Sequence, residues 1–215
     1  MIATPVQRVI RVSTLWVVIF CAVPLAKAAI VFRDIEDVPL FLGSPYRFYH
    51  LDFNGDAVED ALFRSSIADF QVLSTATSRI AGLLEPPPDI GSFAGAFHSD
   101  ELIGLGLNTP WTWNSGLSGL IACTTIGCLG YWGDNIDYVG VQFAIGGETH
   151  YGWVEVQVPF IGVNGGWVRS YAYETEPGVA ITAGAVPEPA TALLLCVGFA
   201  ASATRRSCRC TLPLG

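Results

Sequence analysis

Four oxygen-bearing side chains recur within the stretch DFNGDAVED: Asp52, Asn54, Asp56 and Asp60. They fall at positions 1, 3, 5 and 9 of a calcium-loop pattern, and Val58 stands at position 7, where a backbone carbonyl serves. Alternate spacing in a tight loop turns such side chains inward, and a hard cation such as calcium prefers oxygen clusters. Calcium is therefore the candidate cofactor. Two residues depart from the pattern. Ala57 occupies the turn position usually held by glycine, and a left-handed alanine costs about 1 kcal/mol. Phe63 occupies position 12, so no bidentate glutamate closes the loop. The competing reading is a hairpin turned at Asn54-Gly55, with its acids solvated along the edge.

Cys123 and Cys128 form the second candidate, spaced C-x4-C, while the other four cysteines lie near the chain ends. In an oxidising compartment a disulfide is the default, and a loop this small gives roughly 2 kcal/mol in the chain-entropy model. Zinc would need two further ligands, and the neighbouring sequence supplies none. His50, His98 and His150 are scattered and joined by no catalytic motif. With so many carboxylates, choosing a glycosidase pair would be arbitrary, so no catalytic residue is assigned. Trp111, Trp113, Trp132, Trp153 and Trp167 are numerous for the segment that holds them. Tyr151, Trp153 and Glu155 alternate on one strand face and form the candidate glycan contact. The competing and favoured reading is that these aromatics are packed inside.

The elements that must position these residues read as all-β, without a long amphipathic helix. Short β-branched and aromatic runs separated by Gly, Pro, Asn and Asp predict strands over 30–35, 46–53, 60–65, 70–76, 138–145, 151–158 and 167–174. The LLEPPPDIG stretch is a loop, because three prolines remove ladder donors, and 104–120 reads as a long irregular connection. Val139, Val141, Phe143 and Ile145 alternate with polar or small residues, as do Val154, Val156 and Val158 further on. Pairing Ile145 with His150 sets Val141 opposite Val154 and Val139 opposite Val156, as in a hairpin with one buried face. His150 then falls on that apolar face, as a packed or turn-bonded histidine. Several such hairpins predict an antiparallel β-sandwich or jelly roll.

The chain ends differ from this acidic middle. Residues 29–186 hold five basic and eighteen acidic side chains, a net of −13 in a chain whose total is −8. Such a segment argues against nucleic acid, whose phosphates need a basic face. At the N-terminus, Arg8 and Arg11 precede an apolar run that ends in Ala26-Lys27-Ala28, which reads as a signal peptide over 1–28. A membrane-spanning helix is the weaker alternative there, because Pro24 interrupts the run. Near the other end, 190–204 is an uncharged run that as a helix would extend about 22 Å, short of the roughly 30 Å hydrocarbon core. Pro187 and Pro189 mark a stiff, exposed junction before it. Arg205 and Arg206 follow it and favour the cytoplasmic side.

VPEPAT, the apolar run and the arginine pair together resemble the PEP-CTERM sorting signal of Gram-negative bacteria. The matching residues are Val186, Pro187, Glu188 and Pro189, with Arg205 and Arg206 as the basic stop. The resemblance implies recognition in the inner membrane by an exosortase, a cysteine-dependent processing enzyme. It also implies cleavage near Pro-Glu-Pro and delivery to the cell surface or extracellular matrix. The chain departs from the pattern in continuing with SCRCTLPLG after the arginines. FAIGGETHYGWVEVQV and YAYETEPGVAITAG are similar to a β-rich module that recurs upstream of such tails, which carries no assigned activity. The 52–60 loop resembles those of dockerin-like and integrin-repeat-like proteins.

The resulting organisation is a signal peptide over 1–28, an exported β-domain over 29–185 and a sorting signal over 186–210. The expected role is non-catalytic: structural, adhesive or associated with matrix polysaccharide. The expected partners are the exosortase, the secretion machinery and, in transit, the inner membrane. A carbohydrate-binding module and an extracellular hydrolase are the alternatives.

Overall fold

Alternation of apolar and polar residues, interrupted by glycine turns, builds an all-β chain of antiparallel sheets. In the computed structural model the described residues are 29–41, 46–66, 69–83, 92–124, 127–130, 132, 136–158 and 165–187. The strands are β1 (Ile30–Phe41), β2 (Arg47–Leu51), β3 (Ala61–Ser65), β4 (Asp69–Ser74) and β5 (Arg79–Leu83). Next come β6 (Leu102–Ile103), β7 (Trp111–Asn114), β8 (Leu117–Thr124) and β9 (Gly127–Leu129). The last are β10 (Ile136–Ile145), β11 (Glu148–Gln157), β12 (Gly165–Glu174) and β13 (Ile181–Thr182). A six-stranded sheet runs β1-β12-β11-β10-β5-β7, a five-stranded sheet runs β2-β3-β4-β8-β9, and β13 pairs with β6.

The seven expected strands are present with shifted ends. The 104–120 stretch departs from expectation: instead of one irregular connection it holds β7 and the start of β8. Its glycines hid a ladder that tertiary pairing supplies, since β7 is held by β5 and β8 by β4. Of the expected proline loop, 84–91 lies outside the described residues.

The β10–β11 hairpin forms, but in a different register. Ile145 faces Glu148, Val141 faces Gly152 and Val139 faces Val154. Gly146 (φ 61°) and Gly147 (φ 90°) both adopt left-handed backbone and close a two-residue turn, where four loop residues had been expected. The slip is two residues, and strand side chains repeat with period two, so every residue keeps its face.

On the inner face of the six-stranded sheet, Val139, Val141, Phe143, Val154 and Val156 meet Leu51, Phe63, Phe70, Val72 and Leu120 of the five-stranded sheet. The outer face is apolar as well. There Tyr151, Trp153 and Ala172 lie beneath Phe97, Ile103, Ile181 and Ala183, so the segments around β6 and β13 act as a covering layer. Gly140 lets that layer approach, because a Cβ at this position would meet Ala81 Cβ at 3.0 Å and Ile103 Cγ2 at 3.2 Å. Among the described residues, no helix is long and apolar enough to cross a membrane. The expected signal peptide and the apolar run at 190–204 lie outside those residues.

Candidate functional site

The 52–60 loop joins β2 to β3, and the Leu51–Ala61 strand pair with the Asp60 N–H bonded to the Leu51 carbonyl (2.8 Å) closes it. The two-residue turn at Asn54-Gly55 is therefore replaced by a longer loop that folds on its own side chains. Asp52 accepts from the N–H groups of Gly55 (2.7 Å) and Ala57 (2.8 Å). Asn54 accepts from Asp56 N–H (2.9 Å) and donates through Nδ2 to Asp56 Oδ2 (3.0 Å). Asp56 Oδ1 accepts from Val58 N–H (2.7 Å), and Asp60 Oδ2 accepts from Phe53 N–H (2.9 Å). Ala57 has φ 66°, the left-handed conformation its place in the pattern requires.

Phe53 anchors the loop to the six-stranded sheet. Its ring stacks on Phe143 at 4.6 Å and meets Tyr171 edge-on at 5.2 Å. This anchoring carries Asp60 into the interior, where it is only 2 % exposed. Burial pushes its carboxyl up to about 6; the Phe53 N–H bond opposes the rise, and the charges of Asp52 and Asp56 add to it.

The donor set is all oxygen, which fits a hard cation, and the acids sense one another. The geometry fits less well: among the described residues, no three Asp, Glu, His or Cys side chains gather into a metal-ready group. Side-chain oxygens of Asp52, Asn54 and Asp56 instead accept from the loop's own N–H groups. A cation held here by Asp52, Asn54, Asp56, the Val58 carbonyl and Asp60 would relieve the mutual repulsion of the acids.

The candidate glycan contact at Tyr151, Trp153 and Glu155 is overturned. Tyr151 and Trp153 are each 1 % exposed, covered by the layer around β6 and β13. Trp113 stacks on Tyr151 at 5.6 Å, and Tyr138 meets Trp153 edge-on at 5.0 Å. Glu155 accepts a short bond from Ser170 Oγ. Trp132 is also buried, at 1 % exposure, and donates to the Ala94 carbonyl at 3.3 Å. Trp111, Trp113 and Trp167 are half-buried.

His150 is buried, and its Nδ1 lies 2.9 Å from the Glu174 carbonyl, in keeping with a packed histidine. Cys123 and Cys128 are direct partners in the β8–β9 ladder. Directly opposite residues in an antiparallel pair have Cα atoms about 4.5–5.5 Å apart, within the range a disulfide spans. Of the sorting-motif residues, Val186 and Pro187 are described and exposed; Glu188, Pro189, Arg205 and Arg206 lie outside the described residues.

One arrangement had no signal in the sequence. His98 Nδ1 lies 2.7 Å from Asp137 Oδ1, with the imidazole 69 % exposed and the carboxylate 4 % exposed. The two are distant in sequence and meet because Phe97 and Tyr138, their neighbours, form an isolated antiparallel bridge. The bond to Asp137 and then the charge of Asp137 hold the His98 pKa above its usual value, against a smaller effect of burial, and the charge of Glu101 adds least. The loop that carries His98 also holds the end of the domain, since Asp100 N–H donates to the Ala183 carbonyl and Ala183 N–H to that of Glu101.

The chain matches no protein-family model, no curated protein and no solved structure.

Two expectations follow. Because the carboxyl of Asp60 is raised in the folded state, its contribution is favourable below about pH 4 and is lost as pH rises through about 6. In chelator, Asp60→Asn is therefore expected to stabilise the chain at pH 7 by on the order of 1 kcal/mol in urea unfolding and to flatten that pH dependence. A calcium-holding loop would show a wild-type melting temperature that millimolar calcium raises and an Asp60→Asn melting temperature that it leaves unchanged; no wild-type shift removes the cation. For His98 the raised folded value gives stability that is complete below the unfolded value, about 6.5, and lost as pH rises through the folded one. His98→Gln is thus expected to destabilise the chain at pH 5.5 and to match wild type at pH 9, read by thermal melts at both.

Proposed function

We propose that this chain is an exported, surface-sorted β-sandwich protein of jelly-roll type from a Gram-negative bacterium, without catalytic activity, serving structure or adhesion at the envelope. The observation that carries the reading is the sequence of the tail: Val186-Pro187-Glu188-Pro189, a short uncharged run, then Arg205-Arg206. Its place supports the reading, because the motif follows the last strand, β13, within a few residues. An exosortase would then reach the junction without unfolding the sheets, and the product would be the acidic β-domain. The pairing of Cys123 with Cys128 in one ladder suits a disulfide formed after export.

The carbohydrate-binding alternative loses its original platform, since Tyr151 and Trp153 are interior. For the hydrolase alternative, His98 and Asp137 are the pair to examine, as a buried carboxylate orienting an exposed imidazole.

Mass spectrometry of the protein recovered from its own host tests the sorting reading. The expected product begins at Ala29 and ends close to Pro-Glu-Pro, with Cys123 and Cys128 alkylated only after reduction. A product intact through Gly215 contradicts it.

A further inference from the structure

The outer face of the five-stranded sheet carries a row of rings that the covering layer does not reach. Tyr46, just before β2, is 56 % exposed, and Phe48 is 50 % exposed. Their ring centroids lie 6.2 Å apart, and the next outward residue, His50, follows at 6.4 Å from Phe48. The His50 imidazole is 64 % exposed and bonded to Glu59 at 2.7 Å. Alternation along the strand therefore lays three exposed rings in a line, each tilted to the next by 39° and 38°.

A hydrogen-bonded polar row flanks the rings. Arg64, the β3 partner of Phe48, places its guanidinium 5.3 Å from the Tyr46 ring centroid. Its Nε donates to Gln71 Oε1 at 3.0 Å, and Gln71 Nε2 donates to Asp69 Oδ2 at 2.9 Å. The guanidinium and amide are thereby held in place before any ligand arrives. At the far end, the line of rings opens into a recess of about 230 Å³ lined by His50, Leu51, Asp52, Ala57 and Glu59.

We propose that this stripe, Tyr46-Phe48-His50 with Arg64 and the recess at Asp52 and Glu59, binds a neutral polysaccharide along β2. Sugar rings present apolar C–H faces that lie against aromatic faces, and their hydroxyls donate to carboxylates and accept from guanidinium N–H groups. Unpaired bases also stack on such rings, but residues 29–186 carry a net charge of −13, which repels nucleic acid and acidic glycans alike. A protein partner is disfavoured by composition. The two apolar rings, Tyr46 and Phe48, among hydrogen-bonded polar groups fall short of the apolar centre that a stable interface of about 1,200–2,000 Å² needs. The inference deepens the envelope reading and rests on it for biological setting, yet its test is independent of how the tail is processed.

Affinity electrophoresis of the full chain through gels holding mixed-linkage glucan, galactomannan, xylan or polygalacturonate provides that test. At least one neutral polymer is expected to retard the wild type. The double variant Tyr46→Ala/Phe48→Ala is expected to weaken that retardation about tenfold or more, a change of about 1.4 kcal/mol. Leu105→Ala, an exposed change in the loop after β6, is expected to leave it unaltered. Both altered rings are surface groups, and an unchanged melting temperature confirms the fold of the double variant. Retardation by no neutral polymer, retardation undiminished in the double variant, or retardation by polygalacturonate alone overturns the proposal. A dimer in light scattering that the double variant abolishes would assign the stripe to self-association and overturn it too. None of these outcomes bears on the termini found in the host.

Discussion

The six-stranded sheet is apolar on both faces, and the rest of the molecule is arranged to cover it twice. Its valines and Phe143 are met by the five-stranded sheet, while Tyr151, Trp153 and Ala172 need a second cover. A sheet with one wet face would leave Trp153 in water, and burying a large aromatic is worth several kcal/mol. The chain supplies that cover itself, from Phe97, Ile103 and the residues around β13. Gly140 makes the approach close enough, and the Phe97–Tyr138 bridge pins the layer at one end. That bridge also brings His98 to Asp137, so one packing requirement sets an exposed imidazole against a buried carboxylate.

Electrostatics follows from the same arrangement. The acids of the 52–60 loop sit at an end of the core, where Phe53 ties the loop inward. Asp60 alone of these acids is buried, and that burial, more than its neighbours' charges, holds its carboxyl up. The loop holds its shape through N–H bonds to Asp52, Asn54 and Asp56, the pattern by which short polar side chains stabilise turns. The neighbouring ring stripe on β2 keeps its faces exposed because the covering layer lies on the other sheet.

Much of this was legible before the fold was known, and the failures have physical causes. The β10–β11 hairpin was readable because one face had to be buried; its register was misplaced because Gly146-Gly147 makes the tightest turn available. The strands between 102 and 124 were missed because glycines interrupt their alternation, and partner strands hold them. In the acidic loop, spacing revealed a turn of oxygen donors and the left-handed Ala57, but not that its oxygens would accept from its own backbone. Tyr151 and Trp153 pack inside as the favoured reading had it, but beneath a third layer that their alternation did not announce. Tyr46, Phe48 and His50 were visible as alternating strand residues, whereas their exposure depends on which sheet is covered.

One division of surfaces organises the molecule: Tyr151 and Trp153 on β11 are sealed, while Tyr46 and Phe48 along β2 are open. Oxidative footprinting of the full chain by hydroxyl radicals, read by peptide mass spectrometry, measures this directly. Tyr46 and Phe48 are expected to be modified rapidly, and Tyr151 and Trp153 to stay protected until the chain unfolds. Rapid oxidation of Trp153 in the folded chain, or protection of Tyr46 and Phe48 in the monomer, would contradict that division.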